Sequence, residues 1–316
     1  MKRRSFLHLS GSVLAAHASG VLFADQTTAA IKADEDATKF FESDDPEMLR
    51  LAKRVYDACV LPKVLPASGL MKQTWLNCGG PTKKYWGQWV WDSTFVLDLL
   101  SILPGKESII RDVFQNFWDF QVRWNEAKPA YAHDMVACMI WPAPPKAMSS
   151  FSKNWREFPA YSQIPILAWG VDRIYQRNGD RKLLEQCLEP LERFHEWYWR
   201  ERDVTNIGLI AVGAYSGVIQ HARYETFDYE CNMDSLKLTK HPIRQGKSEG
   251  NWYGDICVTG NSAYLILAEK SLMRLAEVMG ETAMAARRKA RIDKGVAAMR
   301  KHMWDEEAGT FLSVRR

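Results

Sequence analysis

The sequence predicts an all-α protein whose helical hairpins close into an (α/α) toroid. Long segments show the apolar spacing of helices, and no strand-type alternation separates them, which disfavours a βαβ sheet. A weak internal repeat adds to this, because the same interval separates Gly179 from Gly280 and Gly208 from Gly309. Each unit is an apolar helix, a glycine turn, an amphipathic helix and a return turn. Such hairpins bury their faces only against neighbouring hairpins, and a toroid provides those neighbours.

Seven helices are predicted, and turn residues set most of their ends. Pro46 opens the first, Pro104-Gly105 stops the second, Asp180 caps the fifth, and Gly280 separates the last two. The predicted ranges are 46–59, 91–103, 108–126, 162–176, 181–202, 254–279 and 281–303, with loops over 129–159 and 208–234. The apolar helices 162–176 and 254–279 are expected to be inner helices, and the charged helices 181–202 and 281–303 outer ones.

The N-terminus has the pattern of an export signal. Arg3-Arg4-Ser5-Phe6-Leu7 precedes a short apolar stretch at 11–23, which resembles a twin-arginine signal. The apolar stretch is short for a transmembrane helix, so no stable membrane insertion is predicted. We therefore expect residues 1–30 to be a signal peptide for periplasmic or extracellular export, 31–45 a linker and 46–316 the toroid domain. An amphipathic or unstructured N-terminus is the alternative.

Replacement of Arg3 and Arg4 by lysine tests the export prediction. The double variant should stay in the cytoplasm, because the twin-arginine pair is the feature that the folded-protein export route reads. Cell fractionation with an antibody against the chain measures this. Export of the Lys-Lys variant by that route, at the wild-type level, would refute the assignment.

Composition excludes several classes of function. The 316-residue chain is 47% hydrophobic, and its net charge of +4 is too low to indicate nucleic acid or an anionic membrane as a partner. Its six cysteines lack C-x-x-C spacing and are interpreted as buried small hydrophobic residues. The histidines lack metal-ligand spacing, and neither a phosphate-binding glycine loop nor a Gly-x-Ser-x-Gly elbow occurs. No metal or cofactor is predicted.

Two segments combine carboxylates with aromatic side chains. Residues 85–95 read Tyr-Trp-Gly-Gln-Trp-Val-Trp-Asp-Ser-Thr-Phe, and residues 224–234 read Tyr-Glu-Thr-Phe-Asp-Tyr-Glu-Cys-Asn-Met-Asp. Aromatic faces cover the apolar side of a pyranose ring, while carboxylates bind its hydroxyls or protonate a glycosidic oxygen. The pair of segments therefore predicts a carbohydrate site.

These segments resemble motifs of the trehalase-like and mannosylglycerate-hydrolase-like glycosidases, especially glycoside hydrolase family 63. Residues 89–95 are similar to the family's Trp-x-Trp-Asp-Ser-x-Phe, and Ser162-Gln163-Ile164-Pro165 to its Ser-Gln-Pro-Pro. Residues 229–237 are similar to its Trp-Glu-Ser-Gly-Met-Asp-Asn-Ser-Pro, whose Asp is the general acid. The chain departs from that motif at Tyr229, at Cys231-Asn232 and at Leu236-Lys237. The resemblance runs from about Tyr85 to Phe311.

The resemblance implies an (α/α)6 toroid that hydrolyses a glucoside or mannoside of a small sugar or oligosaccharide with inversion. It implies that Asp234 is the general acid, and that the substrate-binding residues are Tyr85, Trp89, Trp91, Asp92, Gln163, Tyr229 and Glu230. Most of these residues also have a structural alternative. Tyr85, Trp89 and Trp91 can fill the core, Asp92 can cap the helix that begins there, and Gln163 can start a helix. Glu230 and Asp234 can serve as cap and turn residues.

The family toroid has six hairpins, and its second catalytic carboxylate, a Glu acting as base, lies beyond the part that resembles this chain. Nothing in the 316 residues matches that Glu. The expectation is therefore an incomplete toroid, with either self-association or a missing C-terminal piece. The alternative function is a catalytically inactive remnant that binds carbohydrate and lacks the general base.

Overall fold

The computed structural model describes residues 44–80, 86–127, 133–142, 162–203, 206–213 and 253–315. All of them belong to one compact unit. Its helices are α1 (Pro46–Val55), α2 (Val90–Leu100), α3 (Glu107–Ala127), α4 (Leu167–Asn178), α5 (Arg181–Glu201), α6 (Thr259–Met279) and α7 (Thr282–His302). Its short strands are β1 (Val64–Leu65), β2 (Trp75–Leu76), β3 (Gln88–Trp89), β4 (Met139–Ile140), β5 (Ala211–Gly213), β6 (Tyr253–Cys257), β7 (Trp304–Asp305), β8 (Thr310–Phe311) and β9 (Val314–Arg315).

None of the described helices is both long enough and apolar enough to cross a lipid bilayer.

The turn chemistry within the hairpins follows the sequence. Gly179 and Gly280 end α4 and α6 with φ values of 67° and 80°, a left-handed conformation that glycine adopts without steric cost. Asp180 then caps α5, since its side chain accepts a hydrogen bond from the Leu183 N–H at 3.3 Å. The two predicted hairpins, α4–α5 and α6–α7, are thereby confirmed.

The helices form two layers. In the inner layer α2 packs against α4, and α4 packs against α6. In the outer layer α3 packs against α5, which also contacts α4 and α6, while α7 packs against α6. The predicted inner and outer helices take these places, and the fold is the all-α toroid arrangement of hairpins. The core between the layers is formed by buried side chains, among them Leu97, Phe117, Val171, Leu191, Leu265 and Leu272.

The inner helices α2 and α4 approach closely next to the predicted site. A Cβ atom on Gly170 would overlap the Thr94 methyl group, so a larger residue there would force Thr94 or the two helices to shift. Thr94 is itself held by its hydroxyl, which donates to the Val90 carbonyl at 2.7 Å. The first turn of α2 is therefore fixed against α4 by shape.

Short antiparallel strands lie before the inner helices. β3 directly precedes α2 and pairs with β4, where Trp89 lies opposite Met139. β6 lies just before α6 and pairs with both β5 and β9. All described strand pairs are antiparallel, which agrees with the absence of a βαβ pattern.

Four sequence predictions are wrong in detail. The helix predicted from Ser162 begins at Leu167, because Pro165 disfavours helical backbone in the residue before it. The helix predicted from Gly254 begins at Thr259, and Tyr253–Cys257 is strand β6 instead. Met139–Ile140 and Ala211–Gly213, both predicted as loop, are strands β4 and β5. These strands form because they pair with segments that are distant in the chain, and a local sequence pattern does not show which distant segment will be the partner.

Four of the five cysteines in the described residues are buried, as predicted. Cys78, Cys138, Cys187 and Cys257 are buried and free, whereas Cys59 is exposed and free. Burial raises the pKa of the Cys78 thiol to about 12, with a further contribution from the Asp92 carboxylate. This thiol is therefore protonated at neutral pH and is not an activated nucleophile.

Candidate carbohydrate site

The described part of the predicted site lies at the N-terminal ends of the inner helices. Trp91 and Asp92 are the second and third residues of α2, and Trp89 is its N-cap. Asp92 is therefore not the N-cap that one interpretation made it. Its half-buried carboxylate lies in the first turn, where the helix dipole stabilises negative charge.

Gln163 joins the two predicted motifs. Its side-chain Oε1 accepts a hydrogen bond from the backbone N–H of Trp91 at 2.9 Å, although 72 positions separate the two residues. Gln163 is 4% exposed and lies before α4, so the idea that it starts a helix is wrong. Two residues predicted to bind the same ligand are thus in direct contact.

An aromatic cluster from all three inner helices surrounds Trp91. The Trp91 ring makes edge-to-face contacts with Phe95 at 4.8 Å and with Tyr264 of α6 at 6.1 Å between centroids. Phe95 in turn contacts Trp169 of α4 at 5.9 Å. Trp91, Tyr264 and Trp169 are partly exposed, and Phe95 is exposed. Accessible aromatic rings are what the apolar face of a pyranose needs to stack on.

Trp89 lies deeper than Trp91. It is buried in a cluster with Cys78, Cys138, Met139 and Trp141, so core filling accounts for its ring. Its backbone N–H donates to Cys78 Sγ at 3.3 Å, which fixes the end of β3 where α2 begins. Its contact with a sugar stays a prediction.

Four predicted site residues lie outside the described residues: Tyr85, Tyr229, Glu230 and Asp234. Their roles stay predictions. The described site therefore consists of Trp91, Asp92 and Gln163 with the surrounding aromatic rings.

Sequence reasoning missed Phe95, Trp169 and Tyr264 as members of this cluster. Phe95 is the last residue of the tryptophan motif, so the motif itself was a signal. Trp169 and Tyr264 carry no such signal, because their position depends on α4 and α6 packing beside α2.

Sequence reasoning also missed a buried charged network behind α6. Glu269 Oε1 accepts a hydrogen bond from Trp199 Nε1 at 2.7 Å and lies 2.9 Å from His195 Nδ1. Glu269 Oε2 lies 3.4 Å from Arg288 Nη1. The side chains of His195, Glu269 and Arg288 are fully buried. The sequence feature that could have revealed this network is Glu269 itself, a single Glu on the buried face of the apolar helix α6.

The network continues to the outer helices. Arg288 on α7 also pairs with Glu196 on α5, and Arg291 Nη2 lies 3.3 Å from the same Glu196. Burial lowers the pKa of the Arg288 guanidinium to about 10, and the nearby Glu192 opposes that decrease. Arg288 is thus charged at neutral pH, and the network joins α5, α6 and α7 by charge.

Within the described ranges, no three His, Cys, Asp or Glu side chains are grouped so that they could hold a metal ion. The partly exposed rings can stack on an apolar ring face, and the Asp92 carboxylate can accept hydrogen bonds from hydroxyl groups.

The fold matches that of a solved glycosidase. A GH63 mannosylglycerate hydrolase from Thermus thermophilus, crystallised with Tris, is 17% identical with a TM-score of 0.55, and the match covers 84% of this chain and 67% of that one. For the same hydrolase in complex with glucose, the identity is 16% and the TM-score 0.54, and the match covers 84% of this chain and 68% of that one. In complex with Tris and D-glycerate, the identity is 16% and the TM-score 0.53, and the match covers 84% of this chain and 66% of that one. This chain thus spans about two thirds of that hydrolase's length, and the likeness shows a shared fold.

A comparison with curated proteins gave no significant match. The family assignment instead comes from a match over residues 85–316, which includes both predicted site segments and every helix from α2 to α7. Because that match covers well over half of the chain, this chain belongs to the family described as the mannosylglycerate hydrolase MGH1-like glycoside hydrolase domain.

Proposed function

We propose that this chain hydrolyses the O-glycosidic bond of a small glucoside or mannoside with inversion at the anomeric carbon. Asp234 protonates the leaving oxygen. An inverting reaction also needs a second carboxylate on the opposite side of the ring, roughly 6.5–9.5 Å away, to activate the attacking water. Because no residue of the chain matches the family's Glu, this role falls to a carboxylate outside the family pattern. Trp91 and its aromatic neighbours stack on the sugar, and Asp92 binds its hydroxyls.

The observation that carries this proposal is the hydrogen bond from Trp91 N–H to Gln163 Oε1. It joins two separate motifs of a glycoside hydrolase family at one place in the fold. The ring of Tyr264 from α6 meets Trp91 at the same place. Three inner helices thus converge on aromatic and polar side chains of the kind that bind sugars.

The solved relative supports a substrate of modest size. Its name is mannosylglycerate hydrolase, and it has been crystallised with glucose and with D-glycerate. A sugar linked to a small hydroxy acid is therefore the first substrate to test on this chain. Release of free sugar, followed by NMR of the first-formed anomer, tests hydrolysis and inversion together.

We further propose that the chain is exported by the twin-arginine route. The support is the Arg3-Arg4-Ser5-Phe6-Leu7 string before a short apolar stretch. Residues 1–43 lie outside the described part of the chain. Under this proposal the substrate is a carbohydrate outside the cytoplasm.

Trp91→Ala and Asp92→Ala should each weaken sugar binding. The first removes the ring at the centre of the aromatic cluster, and the second removes the carboxylate of the next residue along α2. Loss of one such stacking or charged hydrogen-bonding contact corresponds to about 1–3 kcal/mol of binding free energy. Titration of D-glucose and D-mannose, followed by saturation-transfer NMR, measures the change.

Trp304→Ala is the matched control for the tryptophan variant. Trp304 is 39% exposed on the β7–β8 hairpin, and among the described rings it makes an edge-to-face contact only with its hairpin neighbour Phe311. Its loss should leave sugar contacts at the wild-type level. If Trp91→Ala and Asp92→Ala also leave them unchanged, the carbohydrate site lies elsewhere on the protein.

A further inference from the structure

Helix α2 carries Trp91 and Asp92, yet its own N-cap residue cannot cap it. The N-cap is Trp89, in extended conformation, and it makes no side-chain capping bond. An indole has an N–H donor and no acceptor, so it cannot take up the free backbone N–H groups of the first turn. An oxygen from elsewhere must do this.

Gln163 supplies that oxygen. A capping side chain normally accepts from the N–H of the second or third helical residue. Trp91 is the second residue of α2, and its N–H donates to Gln163 Oε1 at 2.9 Å. We propose that Gln163 is a positioning residue, which caps α2 from the segment before α4 and so fixes Trp91 and Asp92 in their binding orientation.

The outer helix α5 holds Gln163 in place. The Tyr198 hydroxyl donates to the Gln163 carbonyl oxygen, and it lies 3.3 Å from Ser162 Oγ. Tyr198 is buried and packs against Phe194 and Trp197, with centroids at 5.0 and 4.8 Å. A continuous set of contacts thus runs from α5 through Gln163 to the first turn of α2.

The geometry also limits what Gln163 can do for a ligand. One of the two lone pairs of Oε1 is taken by the Trp91 N–H, and Gln163 is only 4% exposed, so little of its amide is left to reach a ligand. Its effect on the substrate therefore passes chiefly through the orientation of Trp91 and Asp92. Only this consequence for sugar binding depends on the proposed function; the cap itself does not.

Two substitutions separate the cap from other roles. Gln163→Met has a similar length but no oxygen, while Gln163→Glu keeps an acceptor oxygen and loses the donors. Hydrogen exchange followed by mass spectrometry reports on the first turn of α2. Gln163→Met should speed exchange there by about five- to tenfold, the equivalent of a lost cap. Gln163→Glu should keep most of the protection.

Gln121→Met is the matched control. Gln121 is equally buried, and its amide donates to the carbonyls of Asp134 and Pro190, away from α2. Its substitution should not speed exchange selectively in the first turn of α2. Tyr198→Phe, which removes only the hydroxyl that holds Gln163, should speed exchange there by a smaller factor and is the substitute if Gln163→Met does not fold.

Titration with D-glucose and D-mannose completes the test. If Gln163→Met weakens binding without faster exchange in α2, Gln163 is a direct ligand and the positioning role is overturned. Equal loss of protection in Gln163→Met and Gln163→Glu also overturns it. If the wild-type chain binds neither sugar, the proposed function fails, while the exchange result still decides whether Gln163 caps α2.

Discussion

Asp234→Asn should lower the rate of glycoside hydrolysis by ~10²–10⁴-fold, the usual effect of losing a general acid. The carboxylic acid donates a proton to the leaving oxygen, and the amide that replaces it has nearly the same shape but no such proton. The motif that contains Asp234 resembles the acid-bearing motif of the family to which the chain belongs. Release of sugar from a natural glycoside measures the rate.

The control for this variant is Asp228→Asn. Asp228 lies in the same segment but outside the Glu230…Asp234 spacing, so its amide variant should keep near-wild-type turnover. Aryl glycosides with activated leaving groups are unsuitable, because they need little protonation. Turnover of Asp234→Asn within about threefold of wild type on a natural glycoside would remove Asp234 from the acid role.

Glu269→Gln should destabilise the protein by about 3–5 kcal/mol, the cost of breaking a buried ion pair from one side. The amide keeps the size of the carboxylate but loses its charge. Arg288 has a pKa of about 10, so it is charged at neutral pH. In the variant this buried positive charge no longer has the buried negative charge of Glu269 beside it. The remaining partners, Glu192 and Glu196, are partly exposed. Urea unfolding at neutral pH measures the free energy.

The control is Arg287→Ala on the same helix. Arg287 pairs with Glu192 at 2.6 Å, but its side chain is 54% exposed, so the loss should be about 1 kcal/mol or less. The double variant Glu269→Gln/Arg288→Met should lose less than the sum of its two single variants, because it leaves no buried charge unpaired. A loss below about 1 kcal/mol in Glu269→Gln would mean that the network contributes little to stability.

The helices were predictable where local chemistry determines them. Pro46, Asp180 and the glycines at 179 and 280 act on the backbone within a few residues, so their effect can be read directly from the chain. The hairpins α4–α5 and α6–α7 therefore appear where the sequence predicts them. Strands β5 and β6 were not predicted, because each exists only through pairing with a distant segment.

The charged network behind α6 shows the same limit for side chains. His195 and Trp199 are one helical turn apart on α5, and Glu269 and Arg288 lie on two later helices. Each alone has the pattern of an ordinary helical residue. Their contact follows from the packing of α5, α6 and α7, which a local pattern does not specify.

The sequence by itself determined the helical class, the hairpin repeat and the two aromatic–carboxylate segments, because these depend on composition and short-range spacing. Only the tertiary structure decided that Trp89 is buried while Trp91 reaches an aromatic cluster, that Asp92 is not an N-cap, and that Gln163 caps α2 from another hairpin. The physical reason is that a toroid brings distant inner helices side by side. Burial and hydrogen-bond partners are then fixed by neighbours far away in the chain.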